Sequence, residues 1–178
     1  MNQNLWSNLA KPILALAPMA DVTDAAFRKL FSKYGKPNVT FTEFVSVDGL
    51  LSKGKDALLV DFWYSEAERP MVAQIFGAVP AHFEQVAHLI HELGFDGIYI
   101  NMGCTDKAIE KQGAGAALIN NPKLVAEIIR ATKRGAPGLP ISVKTRIGYK
   151  HNQLAEWLPA LFAEDLTAVT VHLRTRKE

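Results

Sequence analysis

The sequence predicts an α/β fold with a parallel sheet: a TIM-type (β/α)8 barrel, incomplete, with about six β/α units present. Three observations lead there. Short runs rich in β-branched and aromatic residues alternate with stretches of helical spacing along the whole chain. The strand ends fall about 25 to 45 residues apart, the rhythm of a strand, a loop and a covering helix. Several strands stop at a polar or reactive side chain, and in a parallel barrel those carboxyl ends share one mouth.

Ile13 to Ala17 is a short apolar run stopped by Pro18, the first expected strand. Thr23 and Asp24 supply capping oxygens for a helix with Phe27, Leu30, Phe31 and Tyr34 on one face. Val39 to Phe44 alternates and is rich in strand formers, giving a second strand that ends near Glu43. Asp48 to Arg69 is charged and is expected to hold a short helix between the second and third strands. Met71 to Phe76, which contains Gln74, is the third strand. Phe83, Val86, Ala87 and Ile90 have helical spacing, and Gly94 closes that helix. Phe95 to Ile100 is the fourth strand. Asn121-Pro122 reads as N-cap and first helical position, Leu124, Val125, Ile128 and Ile129 line one face, and Gly135 ends the helix after Lys133 and Arg134. Ile141 to Thr145 is the fifth strand. Leu154 to Ala163 is helical, with Pro159 expected to kink or shorten it. Ala168 to His172 is the sixth strand.

A chain of 178 residues is one domain with mass enough for a core. Its 48% hydrophobic and 21% charged residues are those of a globular protein, and a net charge of +2 does not by itself argue for nucleic acid. One cysteine excludes an internal disulfide and fits a reducing compartment. No apolar run approaches the roughly 18 residues needed to span a bilayer. Met1 to Lys11 lacks a basic segment followed by an apolar core, so no signal peptide is expected and the default location is cytoplasmic.

The segment Ile100-Asn101-Met102-Gly103-Cys104 places the single thiol just past a strand end. Pro18-Met19 follows the first strand, Gln74 lies in the third, Lys144 and Arg146 finish the fifth, and His172 with Arg174 and Arg176 finishes the sixth. Lys144 and Arg146 are two apart in extended chain and point to the same side. Each has a plainer reading: a lone cysteine is usually a small buried hydrophobe, and a strand-end Lys or Arg a solvated charge. Convergence at one mouth favours the chemical reading. His82, His88, His91 and His151 read as surface or satisfied histidines, no thiol or carboxylate set completes a metal site, and Gly113-Ala-Gly115 reads as close packing rather than a phosphate loop.

Ala17-Pro-Met-Ala20, Val22-Thr-Asp24, Phe27-Arg28, Gln74-Ile-Phe-Gly77, Ile100-Asn-Met-Gly-Cys104, Gly113-Ala-Gly115, Val143-Lys-Thr-Arg-Ile-Gly148, Thr170-Val-His172 and Arg174-Thr-Arg176 together resemble the tRNA dihydrouridine synthases, in order from about residue 13 to the last. The resemblance implies an FMN-binding barrel that reduces a uridine in tRNA to 5,6-dihydrouridine, with NADPH recharging the flavin. It implies that Pro18, Met19 and Ala20 lie against the isoalloxazine and that Gln74, Lys144 and His172 also contact the flavin. It makes Cys104 the proton donor, with Asn101 and Arg146 holding the uracil. Lys107, Lys111, Arg174, Arg176 and Lys177 lie near the same mouth, as contacts for RNA phosphates. The chemistry agrees: hydride at uracil C6 leaves negative charge toward C5, cations stabilise it, and a thiol, mostly protonated near neutrality, is a suitable acid.

Three departures accompany the resemblance. Thr105 follows the cysteine where the family usually has proline, and Leu173 follows the histidine where it usually has glycine. Six strands also do not close an eight-stranded barrel, and a complete member continues through two more strands and a helical RNA-binding domain. The expectation is therefore the N-terminal part of a longer catalytic barrel, with open edges at the first and sixth strands, or a short protein completed by a second chain. The rival functions are another FMN-barrel reductase acting on a small molecule, a Schiff-base aldolase using Lys144, and a non-catalytic fragment.

Overall fold

The computed structural model describes residues 5–178. The expectation that Met1 to Lys11 carries no signal peptide falls partly on residues 1–4, which lie outside the described residues. Five strands form one sheet: β1 Thr40–Ser46, β2 Met71–Phe76, β3 Gly97–Asn101, β4 Ile141–Gly148 and β5 Ala168–Thr175. They pair in chain order and all in parallel, as β/α alternation requires. The helices are α1 Leu5–Asn8, α2 Ala25–Tyr34, α3 Val47–Leu50, α4 Lys55–Leu59, α5 Pro80–Glu92, α6 Lys107–Lys111, α7 Pro122–Gly135 and α8 Leu154–Phe162. No helix among the described residues is long and apolar enough to cross a membrane.

The outer face of the sheet carries the main core. Phe83, Val86, Ala87 and Ile90 of α5 and Val125, Ile128 and Ile129 of α7 are buried against Ala73, Ile75, Ile98, Ile100 and Val143. These are the faces that the sequence periodicity marks. Asn121 caps α7, its Oδ1 accepting the Leu124 N–H at 3.2 Å. Pro159 sits inside α8 without ending it, because Trp157 and Leu161 stay buried on either side of it. The inner face holds a second cluster, Val39, Phe41, Val72 and Tyr99, on which Leu5, Trp6, Leu9 and Ile13 pack. The Phe41 and Tyr99 rings lie 4.6 Å apart, and α1 covers this end of the lumen through Trp6. Burial pushes the Tyr99 phenol up to about 12. Because inward positions recur every second residue, the next layer toward the carboxyl ends is polar.

The structure departs from the sequence expectations at four places. Ile13 to Ala17 is not a full strand. It makes one parallel bridge, Ala15 to Val39, supported by the Asn38 N–H on Leu14 O at 2.8 Å. The run is five residues long between Pro12 and Pro18, neither of which can donate to a ladder. Helix α2 does not bury the stripe of Leu30, Phe31 and Tyr34, which are exposed; it buries Arg28. The charged stretch Asp48 to Arg69 is more ordered than expected, with α3, α4 and two 3-10 turns at Val60–Phe62 and Glu66–Glu68. β1 runs past Glu43 to Ser46 through an irregularity between Phe41 and Phe44. At the sheet's two margins Leu14 and Leu173 are largely exposed.

Candidate active site

The thiol sits on a turn built by its own strand. β3 ends at Asn101, whose side-chain Oδ1 accepts the backbone N–H of Gly103 at 3.1 Å and of Cys104 at 3.0 Å. The Asn101 Nδ2 donates to Gln74 Oε1 at 2.9 Å, and Gln74 Nε2 donates to Thr42 O at 3.2 Å. Three adjacent strands are thereby tied to the orientation of one turn. Each amide keeps one N–H beyond these bonds. Behind the turn, Cys104 O accepts the Ala116 N–H at 2.8 Å. Gly115 has φ +60°, and a Cβ there would stand 2.6 Å from Cys104 O. The Gly113-Ala-Gly115 motif is close packing, and what it packs against is the thiol loop.

β4 supplies the cations. Lys144 and Arg146, two apart, both face the same cleft as Cys104. Arg146 is held at both sides: Nε donates to Gly103 O at 2.7 Å and Nη1 to Thr175 O at 3.0 Å. Among the described residues the Lys144 ammonium makes no hydrogen bond or ion pair, although its backbone O accepts the Met102 N–H at 2.7 Å. Burial, and then the Arg146 charge, lower its ammonium from the ordinary lysine value. Burial, followed by Arg146, Arg174 and Lys144, lowers His172, which favours the neutral ring near pH 7. The cleft has a volume of about 250 Å³. Pro18 and Ala20 line one side of it, and Asn101, Cys104, Lys144, Arg146 and His172 line the rest.

Three expected site residues stand elsewhere. Met19 lies between the two wall residues, and its side chain is exposed. Gln74 is buried beneath Asn101 and does not line the cleft. Arg174 is exposed and donates to the backbone oxygen of Glu178. On the expected basic rim, Lys107, Lys111 and Lys177 are exposed. Arg176 is instead bound by Glu110, Nε to Oε1 at 2.8 Å, with its guanidinium over the Tyr149 ring. Of the histidines, His82 pairs with Asp48 at 2.5 Å and His88 with Glu92 at 3.5 Å. Among the described residues no three His, Cys, Asp or Glu side chains are placed to hold a metal.

The sequence reading did not single out Thr42 or Glu68, and it named Arg28 only within the Phe27-Arg28 motif, without its buried partner. A signal existed for the second: Ser65-x-x-Glu68 is a capping-box pattern, and both of its bonds are present.

A sequence profile of the family described as Dihydrouridine synthase (Dus) matches residues 15–178. The chain is 43% identical over 180 aligned residues to a protein named "Probable tRNA-dihydrouridine synthase" from Staphylococcus aureus (strain COL), covering all of this chain and 54% of that protein. It is 42% identical to "Probable tRNA-dihydrouridine synthase 2" from Bacillus subtilis (strain 168), again over all of this chain and 55% of the other. The chain spans about half the length of the curated relatives it matches.

Proposed function

The chain belongs to the dihydrouridine synthase family, and on that premise we propose that its cleft serves the reduction of tRNA uridines to 5,6-dihydrouridine. One observation carries this reading: the Cys104 thiol, the Lys144 ammonium, the Arg146 guanidinium and the His172 imidazole open onto one cleft at the strand ends. In this reading the 178 residues are the N-terminal part of an FMN-binding barrel.

The residues fit a flavin. The Lys144 ammonium is part-buried with no acceptor of its own, and Pro18 and Ala20 line the same cleft with apolar side chains against which a ring would lie. Bound FMN, restored by NADPH, supplies the hydride. Lys144 and His172 would hold the electron-rich ring and Pro18, Met19 and Ala20 would border it, while Gln74 would act on it from behind Asn101, to which it is bonded.

Asn101 and Arg146 each retain donor capacity for the uracil. Reduction places a hydride at C6 and leaves negative charge over C5 and the C4 carbonyl. The Arg146 charge stabilises that form, and the Cys104 thiol gives its proton to C5. The C5=C6 double bond is consumed, and the thiolate regains its proton from solvent. The base reaches the cleft only after leaving its stack. Exposed Lys107, Lys111, Arg174 and Lys177 meet the phosphates. A free thiol, tRNA and NADPH all fit a cytoplasmic location.

The test is the tRNA of a strain lacking the gene. Loss of dihydrouridine at one or more positions supports the reading, and an unchanged dihydrouridine content overturns it. Purified protein carrying flavin absorbance supports the cofactor separately.

A further inference from the structure

Away from the thiol, the chain buries an ion pair that the reaction does not use. Arg28 and Glu68 are 1% and 2% exposed, with Nε to Oε2 at 2.9 Å. A buried ion pair is a weak source of stability compared with an apolar pair of similar volume. The surrounding sequence makes the choice sharper, because α2 carries apolar residues that it leaves in solvent while burying its arginine.

The guanidinium does what an apolar side chain cannot: it reaches three separate segments at once. Besides Glu68, it donates from Nη1 to Thr23 O at 2.9 Å and from Nη2 to Trp63 O. Glu68 is fixed in turn by the Ser65 N–H at 2.7 Å and the Ser65 hydroxyl at 2.9 Å. Thr23, itself buried, grips Met19 from both sides. Its hydroxyl accepts the Met19 N–H at 2.9 Å and donates to Met19 O at 3.2 Å, and its own N–H donates to Met19 O at 3.0 Å. Pro18 and Ala20, on either side of Met19, line the cleft. Between them and Thr23, Asp21 has φ 60°, a left-handed conformation that a non-glycine residue keeps when its surroundings over-determine it.

We propose that Arg28 and Glu68, acting through Thr23, are positioning residues for the Pro18–Ala20 wall of the cleft. The anchor is a property of this chain's own contacts. Only its consequence for ligand affinity rests on the flavin reading given above.

Thr23→Val keeps the shape of the side chain and the ion pair while removing both hydroxyl bonds to Met19, and Thr23→Ser keeps the hydroxyl. Deuterium exchange of residues 17–23 and FMN affinity are measured for both variants. The expected result is faster exchange confined to that segment and an FMN Kd raised by about tenfold in Thr23→Val, as for loss of a buried hydrogen bond, with both restored in Thr23→Ser. Glu68→Gln is expected to speed exchange in the same segment while β2 and α5 stay protected. Wild-type exchange in Thr23→Val, an equally impaired Thr23→Ser, or exchange accelerated throughout the molecule in Glu68→Gln overturns the proposal. Should the wild-type protein bind no FMN, the functional reading fails, and the exchange measurements still decide the anchor.

Discussion

The side-chain oxygen of Asn101 accepts the backbone N–H of Cys104 at 3.0 Å, so the residue that ends β3 also aims the thiol. The same amide is fixed from below by Gln74, and Gln74 by Thr42. The direction of the only cysteine is therefore set by three strands and not by the loop alone. A rigid strand end is the support that acid catalysis needs, because a small misplacement of the donor is costly.

Asn101→Ala is expected to lower single-turnover dihydrouridine formation by about 10²-fold, the scale of a displaced reacting group. FMN binding and NADPH oxidation should stay within a few-fold of wild type. Asn101→Asp is the more informative partner. It keeps an acceptor for the Gly103 and Cys104 N–H groups but puts an oxygen against Gln74 Oε1, so an intermediate loss is expected.

Cys104→Ala should separate the two halves of the reaction. NADPH oxidation by bound flavin continues, while dihydrouridine formation falls by about 10²- to 10⁴-fold, the usual contribution of a general acid. Stopped-flow flavin absorbance and nucleoside analysis of the tRNA read the two halves independently. Wild-type turnover would remove the thiol from the mechanism.

Lys144 gives a pH prediction with a definite sign. Burial, and then Arg146, lower its ammonium from 10.5, so the folded chain holds that proton less tightly than the unfolded chain. Between the two values the unfolded state carries more protons, and stability from this group rises with pH; below the folded value the full cost remains. Lys144→Met is expected to raise Tm at pH 7 and to weaken FMN binding. In the wild type, affinity for an anionic ligand should decline on the alkaline side, before an ordinary lysine would lose its charge. A variant that melts lower, or that binds FMN as tightly as wild type, contradicts this account.

The glycine pair next to the thiol loop offers an internal control. Gly113 and Gly115 both have positive φ, at +78° and +60°, so an alanine costs each about 1–2 kcal/mol in backbone strain. Gly113→Ala meets only Ala78 Cβ at 3.7 Å, whereas Gly115→Ala meets Cys104 O at 2.6 Å. Urea unfolding should show the larger loss for Gly115→Ala, and alkylation of Cys104 should change rate only in that variant. Equal effects would mean that the contact with the thiol loop carries nothing.

What the sequence revealed follows the physics of each signal. α5 and α7 were legible because their apolar residues repeat at helical spacing and the core takes those faces, with Leu124 partly buried at the edge. The meeting of Cys104, Lys144, Arg146 and His172 was legible because parallel strands must end on one side. α2 forms as its cap and apolar spacing predict, but Leu30, Phe31 and Tyr34 stay exposed while Arg28 is buried on Glu68, a tertiary pairing that periodicity does not show. Gln74 and Asn101 were expected to reach outward to ligands, since nothing in one dimension shows that they face each other. Ile13 to Ala17 had the composition of a strand but lacks the donors that its flanking prolines remove.

Glu110 and Arg176 close the far side of the thiol loop. Glu110 lies on α6, which starts three residues after Cys104, and Arg176 follows β5, so their pair ties the loop's continuation to the strand that carries His172. The Arg176 guanidinium holds the Glu110 carboxyl below its ordinary 4.5. A carboxylate lowered on folding contributes stability above its unfolded value and loses it as pH falls through the folded one. The Tm difference between wild type and Glu110→Gln should therefore be largest near neutrality and shrink below about pH 4.5. A difference that stays constant from pH 7 to pH 3 would show that the charge pair does not act through this linkage. Because Arg176 is paired with Glu110, Glu110→Gln should also free a cation at the rim and, on the proposed function, steepen the salt dependence of tRNA binding.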